Sequence, residues 1–250
     1  MTQLTHTQAS VHAPGVVRRR CVGLLASAVI LTLAFAASAV PIVEWDLANA
    51  TGQDAAVLNI DANANATAIT ASPGVTEWSS TAQDGFIAAS GWATAVPDPA
   101  RYYEWTVTAA AGYSIDYQNI TLALFRGISG GNHGAEQWDL HASIDSFGLS
   151  DIALQTFDIS SSAADEQILF SATDISALGT AAGTVTFRLY GYDYTATGDF
   201  SGLGNDSGWL IGGTGANPVV GGSIFLTVPE PSTGLLVLLG LIVMGARRRV

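Results

Sequence analysis

Tyr103-Glu104-Trp105-Thr106-Val107-Thr108 alternates strictly, with Tyr103, Trp105 and Val107 on one side and Glu104, Thr106 and Thr108 on the other. Successive side chains of a β-strand leave on opposite faces, so this spacing describes a strand with one face buried and one in water. The same period of two returns in Ile120, Leu122 and Leu124, in Trp138, Leu140 and Ala142, in Val185, Phe187 and Leu189, and in Ile224, Leu226 and Val228. Between these runs lie turn-forming clusters at Ala111-Gly112, Gly127 to Gly134, Ala181 to Gly183, Gly198 to Gly208 and Gly212 to Gly222. The span Asp174 to Leu178 allows a short helical turn, and no long amphipathic helix interrupts the strands. Many short strands with glycine-rich connections predict an all-β domain, a two-sheet antiparallel sandwich of jelly-roll type. Val40 to Pro99 is richer in Ala, Asn and Thr and less regular, with no boundary that marks a second domain.

The two ends depart from this pattern. Arg18, Arg19 and Arg20 precede an apolar run from Cys21 to Ala37, and Ala37-Ser38-Ala39 supplies the small residues that a signal peptidase requires. Residues 1–39 therefore read as a signal peptide with a helical core, cleaved after Ala39. Cys21 follows an arginine rather than a small residue, which argues against lipoprotein attachment. At the other end Pro229-Glu230-Pro231 is followed by an uncharged apolar segment from Leu235 to Ala246 and by Arg247, Arg248 and Arg249. A helix of that length rises roughly 20 Å, short of the roughly 30 Å hydrocarbon core, so it pauses in a membrane more readily than it spans one. The arginine triplet acts as a cytoplasmic stop, and the two prolines keep Glu230 extended and accessible.

These residues, 229–250, resemble the PEP-CTERM sorting signal of bacterial cell-envelope proteins. The resemblance implies recognition of Pro229, Glu230 and Pro231 by an exosortase-type processing enzyme, transient membrane association, and delivery to the cell surface or extracellular matrix. A weaker resemblance spans Tyr102 to Val228. Arg101 to Ile115, Trp138 to Phe147 and Thr186 to Tyr192 are similar to sandwich domains carried by such proteins, in which a strand ends in a Ser-x-Asp-Gly-Phe turn. This chain has Ser143-Ile144-Asp145-Ser146-Phe147, with serine in place of the glycine. That resemblance supports the fold and implies no activity.

Removing both ends leaves residues 40–228, roughly 190 residues with no cysteine, so a hydrophobic core or bound ions must hold the domain rather than disulfides. Its three arginines, Arg101, Arg126 and Arg188, stand against twenty carboxylates, a balance of −17 with no lysine. Such a charge makes nucleic acid and anionic membrane surfaces poor partners.

Catalytic patterns are sparse. His133, in a glycine-rich stretch, and His141, outward on its strand, are the two histidines of the domain, and no Gly-x-Ser-x-Gly elbow accompanies them. Zinc lacks cysteine and paired histidines. Paired carboxylates such as Glu104 and Glu136 would be needed for glycoside hydrolysis, but among twenty acids close pairs arise by chance. Calcium is the better-motivated ion, because Asp193, Asp199, Asn205 and Asp206 crowd one glycine-rich connection. Asp61-x-Asn63-x-Asn65 begins like an EF-hand loop, yet Ala66 and Ser72 occupy the positions that need glycine and glutamate. Six tryptophans offer stacking surfaces for sugar rings. Trp105 and Trp138 share the inward parity of their strands, whereas Trp78, Trp92 and Trp209 sit beside Ser or Gly and are the candidate glycan contacts. The expectation is an exported, non-enzymatic surface or matrix protein associated with polysaccharide. The alternatives are a carbohydrate-binding module, calcium-dependent or not, and a glycan-active enzyme.

Overall fold

The alternating runs become the inner strands of two antiparallel sheets. In the six-stranded sheet the order is β12 (Ile152–Asp158), β11 (Gln137–Ser143), β15 (Thr184–Tyr192), β7 (Tyr102–Ala109) and β3 (Ala64–Ala66), with β4 (Thr70–Ala71) also paired to β7. β7 buries every second residue, as its sequence predicts, and Val185, Phe187 and Leu189 do the same on β15. The structure, a computed structural model, describes residues 39–48, 50, 54–77, 85–129, 132–163, 166–194, 200–205 and 215–227. All of them belong to one compact unit. Among them there is no α-helix, and Ser176–Leu178 forms one 3₁₀ turn where a short helical turn is expected.

The nine-stranded sheet is organised around β8 (Tyr113–Arg126). One edge of β8 pairs first with β17 (Val219–Leu226), then, over Leu124 to Arg126, with β16 (Ser201–Gly204). Beyond β17 lie β1 (Val40–Asp46) and β2 (Ala56–Ile60), and beyond β16 lie β6 (Phe86–Ser90) and β5 (Thr76–Glu77). The opposite edge of β8 carries β13 (Gln167–Asp174) and β14 (Thr180–Ala181), so the sheet divides along its longest strand. A small ribbon of β9 (Ile128–Ser129) and β10 (Asn132–His133) follows β8.

A bulge in β8 explains its residue order. Asn119 pairs with Gly221 and Tyr117 with Gly222, leaving Gln118 extra. One extra residue reverses the alternation, so Ile115 and Tyr117 point inward before it and Ile120, Leu122 and Leu124 point inward after it. Ala123 and Phe125 then face the opposite side, where Phe125 packs with Phe86, Ala88 and Phe200 in a separate apolar cluster. The main core lies between the sheets and is joined by aromatic contacts across them. Trp45 of β1 meets Trp105 of β7 at 5.9 Å, and Tyr117 of β8 meets Phe187 of β15 at 5.8 Å.

Four sequence expectations change here. The glycine-rich connection Gly198 to Gly208 contains β16, a buried strand between β6 and β8. Its glycine is required by close approach, since a Cβ on Gly202 would lie 2.0 Å from the Ile87 carbonyl oxygen. Gly212 to Gly222 likewise contains the first half of β17, where a Cβ on Gly222 would lie 2.1 Å from the Asp116 carbonyl oxygen. The inward parity expected for this strand holds at Ile224, which is half-buried against the core, and fails at Leu226, which is 63% exposed, while Val228 lies outside the described residues. The less regular stretch Val40 to Pro99 supplies six strands and two core tryptophans, Trp45 and Trp92.

Candidate functional site

The outward residues of β7, β15 and β11 form a continuous polar and aromatic face. Register places Tyr102 opposite Tyr190, Glu104 opposite Arg188, Arg188 opposite His141, and Tyr190 opposite Asp139. Arg188 donates from Nε to Glu104 Oε2 at 2.8 Å. Its guanidinium lies 4.2 Å from the ring centroid of Tyr102 and 4.2 Å from that of Phe147, a cation held between two aromatic rings. Tyr190 meets Tyr102 edge-on at 5.6 Å and His141 at 5.3 Å. His141 Nδ1 lies 2.6 Å from Asp151 Oδ1. Asp139 Oδ1 accepts from the Thr156 hydroxyl at 2.7 Å and the Tyr192 hydroxyl at 3.3 Å. Beside this row an open depression of about 370 Å³ is lined by Asp139, His141, Ala153, Leu154, Gln155 and Thr156. Burial raises the Tyr190 and Tyr192 phenols above their ordinary range, with the Asp139 charge adding to the effect at Tyr192, so both remain hydrogen-bond donors at neutral pH.

The loop after β11 frames this face and is built by one carboxylate. Asp145 accepts from the Ser143 and Ser150 hydroxyls at 2.8 and 2.6 Å, and from the backbone N–H groups of Gly148 and Leu149 at 3.1 and 2.6 Å. The Ser143 hydroxyl oxygen in turn accepts from the Asp145 and Phe147 N–H groups. These bonds, led by the Ser150 hydroxyl, the Leu149 N–H and the Ser143 hydroxyl, hold the Asp145 carboxyl far below the usual carboxylate range. They also keep Ser146 and Phe147 in the left-handed region, at φ 57° and 62°. The loop so fixed sets Phe147 over Arg188 and projects Ile144 and Leu149, 61% and 101% exposed, beside the face.

A second charged cluster gathers at the last residue of β8. Arg126 forms an ion pair with Glu136, donates from Nε to the Ser162 hydroxyl at 3.1 Å, and donates from Nη2 to the Ser160 and Ser162 carbonyls at 2.6 and 2.7 Å. The two charged side chains are 7% and 14% exposed, and His133 Nδ1 lies 3.3 Å from the same glutamate. Burial lowers the Arg126 pKa from its ordinary value, and the Asp158 charge opposes that shift. Arg101 completes the set, with Nε 3.1 Å from Asp98 and Nη1 donating to the Gly91 and Trp92 carbonyls. Every arginine between residues 40 and 227 is thus spent on a carboxylate of the same domain.

The residues expected to bind ligands are distributed differently from their prediction. Trp92, expected at the surface, is fully buried. Gly91, at φ 75°, turns the chain after β6, and the indole enters between the sheets, donates to the Ala89 carbonyl at 2.8 Å and packs on Trp138 at 4.9 Å. Trp105 and Trp138 are core residues as expected. Trp78 and Trp209 lie outside the described residues, as do Asp199 and Asp206 of the calcium set. Asp193 is half-buried after β15, and Asn205 is buried with its carboxamide donating to Asn217 Oδ1 at 2.6 Å. Asp61 Oδ1 accepts from the Asn63 N–H at 2.8 Å, so the EF-hand-like start is the turn joining β2 and β3. Among the described residues no three His, Cys, Asp or Glu side chains are grouped to hold a metal ion. Glu104 and Glu136 belong to different arginine clusters. His141 faces outward as its parity predicts, on the face described above. Tyr102, Phe147 and Tyr190 were not singled out by sequence. The readable signal was the outward parity of Tyr102 and Tyr190 on strands already recognised, together with the Ser-x-Asp-x-Phe turn.

Among the described residues no helix is long and apolar enough to cross a membrane, and both terminal segments read as helical in the sequence lie outside them. Residues 227–249 match the PEP-CTERM protein-sorting motif, a stretch that contains Pro229, Glu230 and Pro231 and Arg247, Arg248 and Arg249. No curated protein and no solved structure matches the chain. The motif implies an exported protein that an exosortase processes.

Proposed function

We propose that this chain is an exported surface or matrix protein without catalytic activity, whose β-sandwich contacts exopolysaccharide once the sorting segment has been processed. The observation that carries this reading is the sorting motif at residues 227–249. The outer face of the six-stranded sheet supports it, because aromatic rings and hydrogen-bonding side chains set at strand spacing suit the flat, hydroxyl-rich surface of a sugar chain. A lectin-like role for the same face is favoured by Tyr102, Arg188 and Phe147, whose cation–ring contacts are already made within the protein itself. A glycan-active enzyme has less support, since Glu104 and Glu136 are each held by an arginine.

The test joins localisation to retention. Replacing Pro229, Glu230 and Pro231 with alanine is expected to leave a full-length precursor in the membrane fraction, whereas the native protein is shortened and recovered with the extracellular polymer. Normal shortening of the triple variant would refute the sorting role. Recovery of the native protein free of polymer would refute the matrix role.

A further inference from the structure

We infer that the outer face of the six-stranded sheet takes a cationic amino-sugar polymer, an inference that rests on the polysaccharide reading above and narrows its substrate class. Charge decides among polysaccharides. Segment 40–228 carries twenty carboxylates and three arginines, and each arginine is consumed by an internal ion pair. No arginine is left to meet a uronate or a sulfate, and the summed negative field repels both. A protonated amino sugar is attracted by that field and carries the apolar ring face that stacks on aromatic side chains.

The geometry supplies a place for each part of such a ligand. β7, β15, β11 and β12 are consecutive strands, so at about 4.8 Å per strand the face forms a lane roughly 14 Å across. Half-buried Tyr102 lies toward one side of the lane and supplies its aromatic surface, while Tyr190, 6% exposed, backs it edge-on. Asp139, beside the depression between β11 and β12, accepts from the neutral hydroxyls of Thr156 and Tyr192, so its charge is not cancelled as Glu104's is by Arg188. The loop built on Asp145 borders the lane and is ordered in advance, so little freedom is lost when a chain settles against it.

The test uses the full chain in detergent micelles and four hexasaccharides in calorimetric titrations. These are fully deacetylated glucosamine, its N-acetylated counterpart, an uncharged glucan and a uronate. The glucosamine hexamer is expected to bind at least tenfold more tightly than the other three, with affinity falling as sodium chloride is raised. Asp139→Asn, which retains a hydrogen-bonding group at the same place, is expected to weaken binding at least tenfold. Tyr102→Ala is expected to weaken it severalfold, and Asp54→Asn, an exposed carboxylate elsewhere, to leave it unchanged. Equal binding of the acetylated and deacetylated hexamers would overturn the inference, as would equal losses in the Asp139 and Asp54 variants. Melting temperatures of the variants separate lost binding from lost folding, and Tyr102→Ala gives a second readout if Asp139→Asn unfolds. If the native protein is recovered with extracellular polymer but no hexamer binds, the amino-sugar assignment alone fails.

Discussion

Arg126 and Arg188 each hold a glutamate, yet their settings are opposite. Arg126 is buried at the last residue of β8, where its guanidinium also binds the carbonyls of Ser160 and Ser162. Arg188 lies on the outside of a sheet, between two aromatic rings. Removing water from a charge is costly unless partners replace it, so Arg126 is a structural tie whose loss strands Glu136. Arg188 is partly solvated, and its aromatic neighbours rather than its ion pair fix its place. The same pair of residue types therefore locks the fold at one site and shapes a surface at the other.

The largest expected effect comes from breaking that contrast directly. Arg126→Ala should cost about 3 kcal/mol of unfolding free energy in denaturant titrations, because a poorly solvated carboxylate is left unpaired. Arg188→Ala should cost about 1 kcal/mol or less, and an equal loss at the two sites would erase the distinction. A smaller effect concerns the loop that carries Phe147 onto Arg188. The folded-state pKa of Asp145 is depressed, so its contribution is present above the unfolded carboxylate value near 4 and is lost as pH falls below it. Asp145→Asn should therefore lower the melting temperature at pH 7 and flatten its fall between pH 5 and pH 2, as read by circular dichroism. The smallest effect is a gain. Ser146 sits at φ 57°, where glycine meets no Cβ penalty, so Ser146→Gly should stabilise the protein by roughly 0.5 kcal/mol. A loss on that substitution would mean that the loop is held by more than backbone geometry.

How far the fold could be read depended on how each strand is covered. β7 has one face in the core and one outside, which writes alternation into its sequence. β16 is buried throughout and is half glycine, so Ser201-Gly202-Leu203-Gly204 carries no period and resembles a turn. The bulge at Gln118 hid half of β8 from a strict period-two reading, although the change of parity between Tyr117 and Ile120 marks it. Trp92 was misplaced because its neighbour Gly91 signals a turn without saying which way the chain leaves it. The sorting motif was readable because its chemistry is linear: prolines, an apolar segment and arginines act in chain order. The outer face could not be assembled that way, since Tyr102, His141 and Arg188 come from three strands brought together by register alone.

The engagement of every arginine in the domain bears on survival outside a cell. With no lysine anywhere in the chain, a trypsin-like protease has Arg101, Arg126 and Arg188 as its sole targets between residues 40 and 227. Each of those side chains is held by a carboxylate of the folded domain, two of them within β-strands. At Arg126 and Arg188 such a protease must wait for the domain to open before it can cut, whereas Arg101, outside the strands and with a side chain 36% exposed, is the one of the three it can reach on the folded domain.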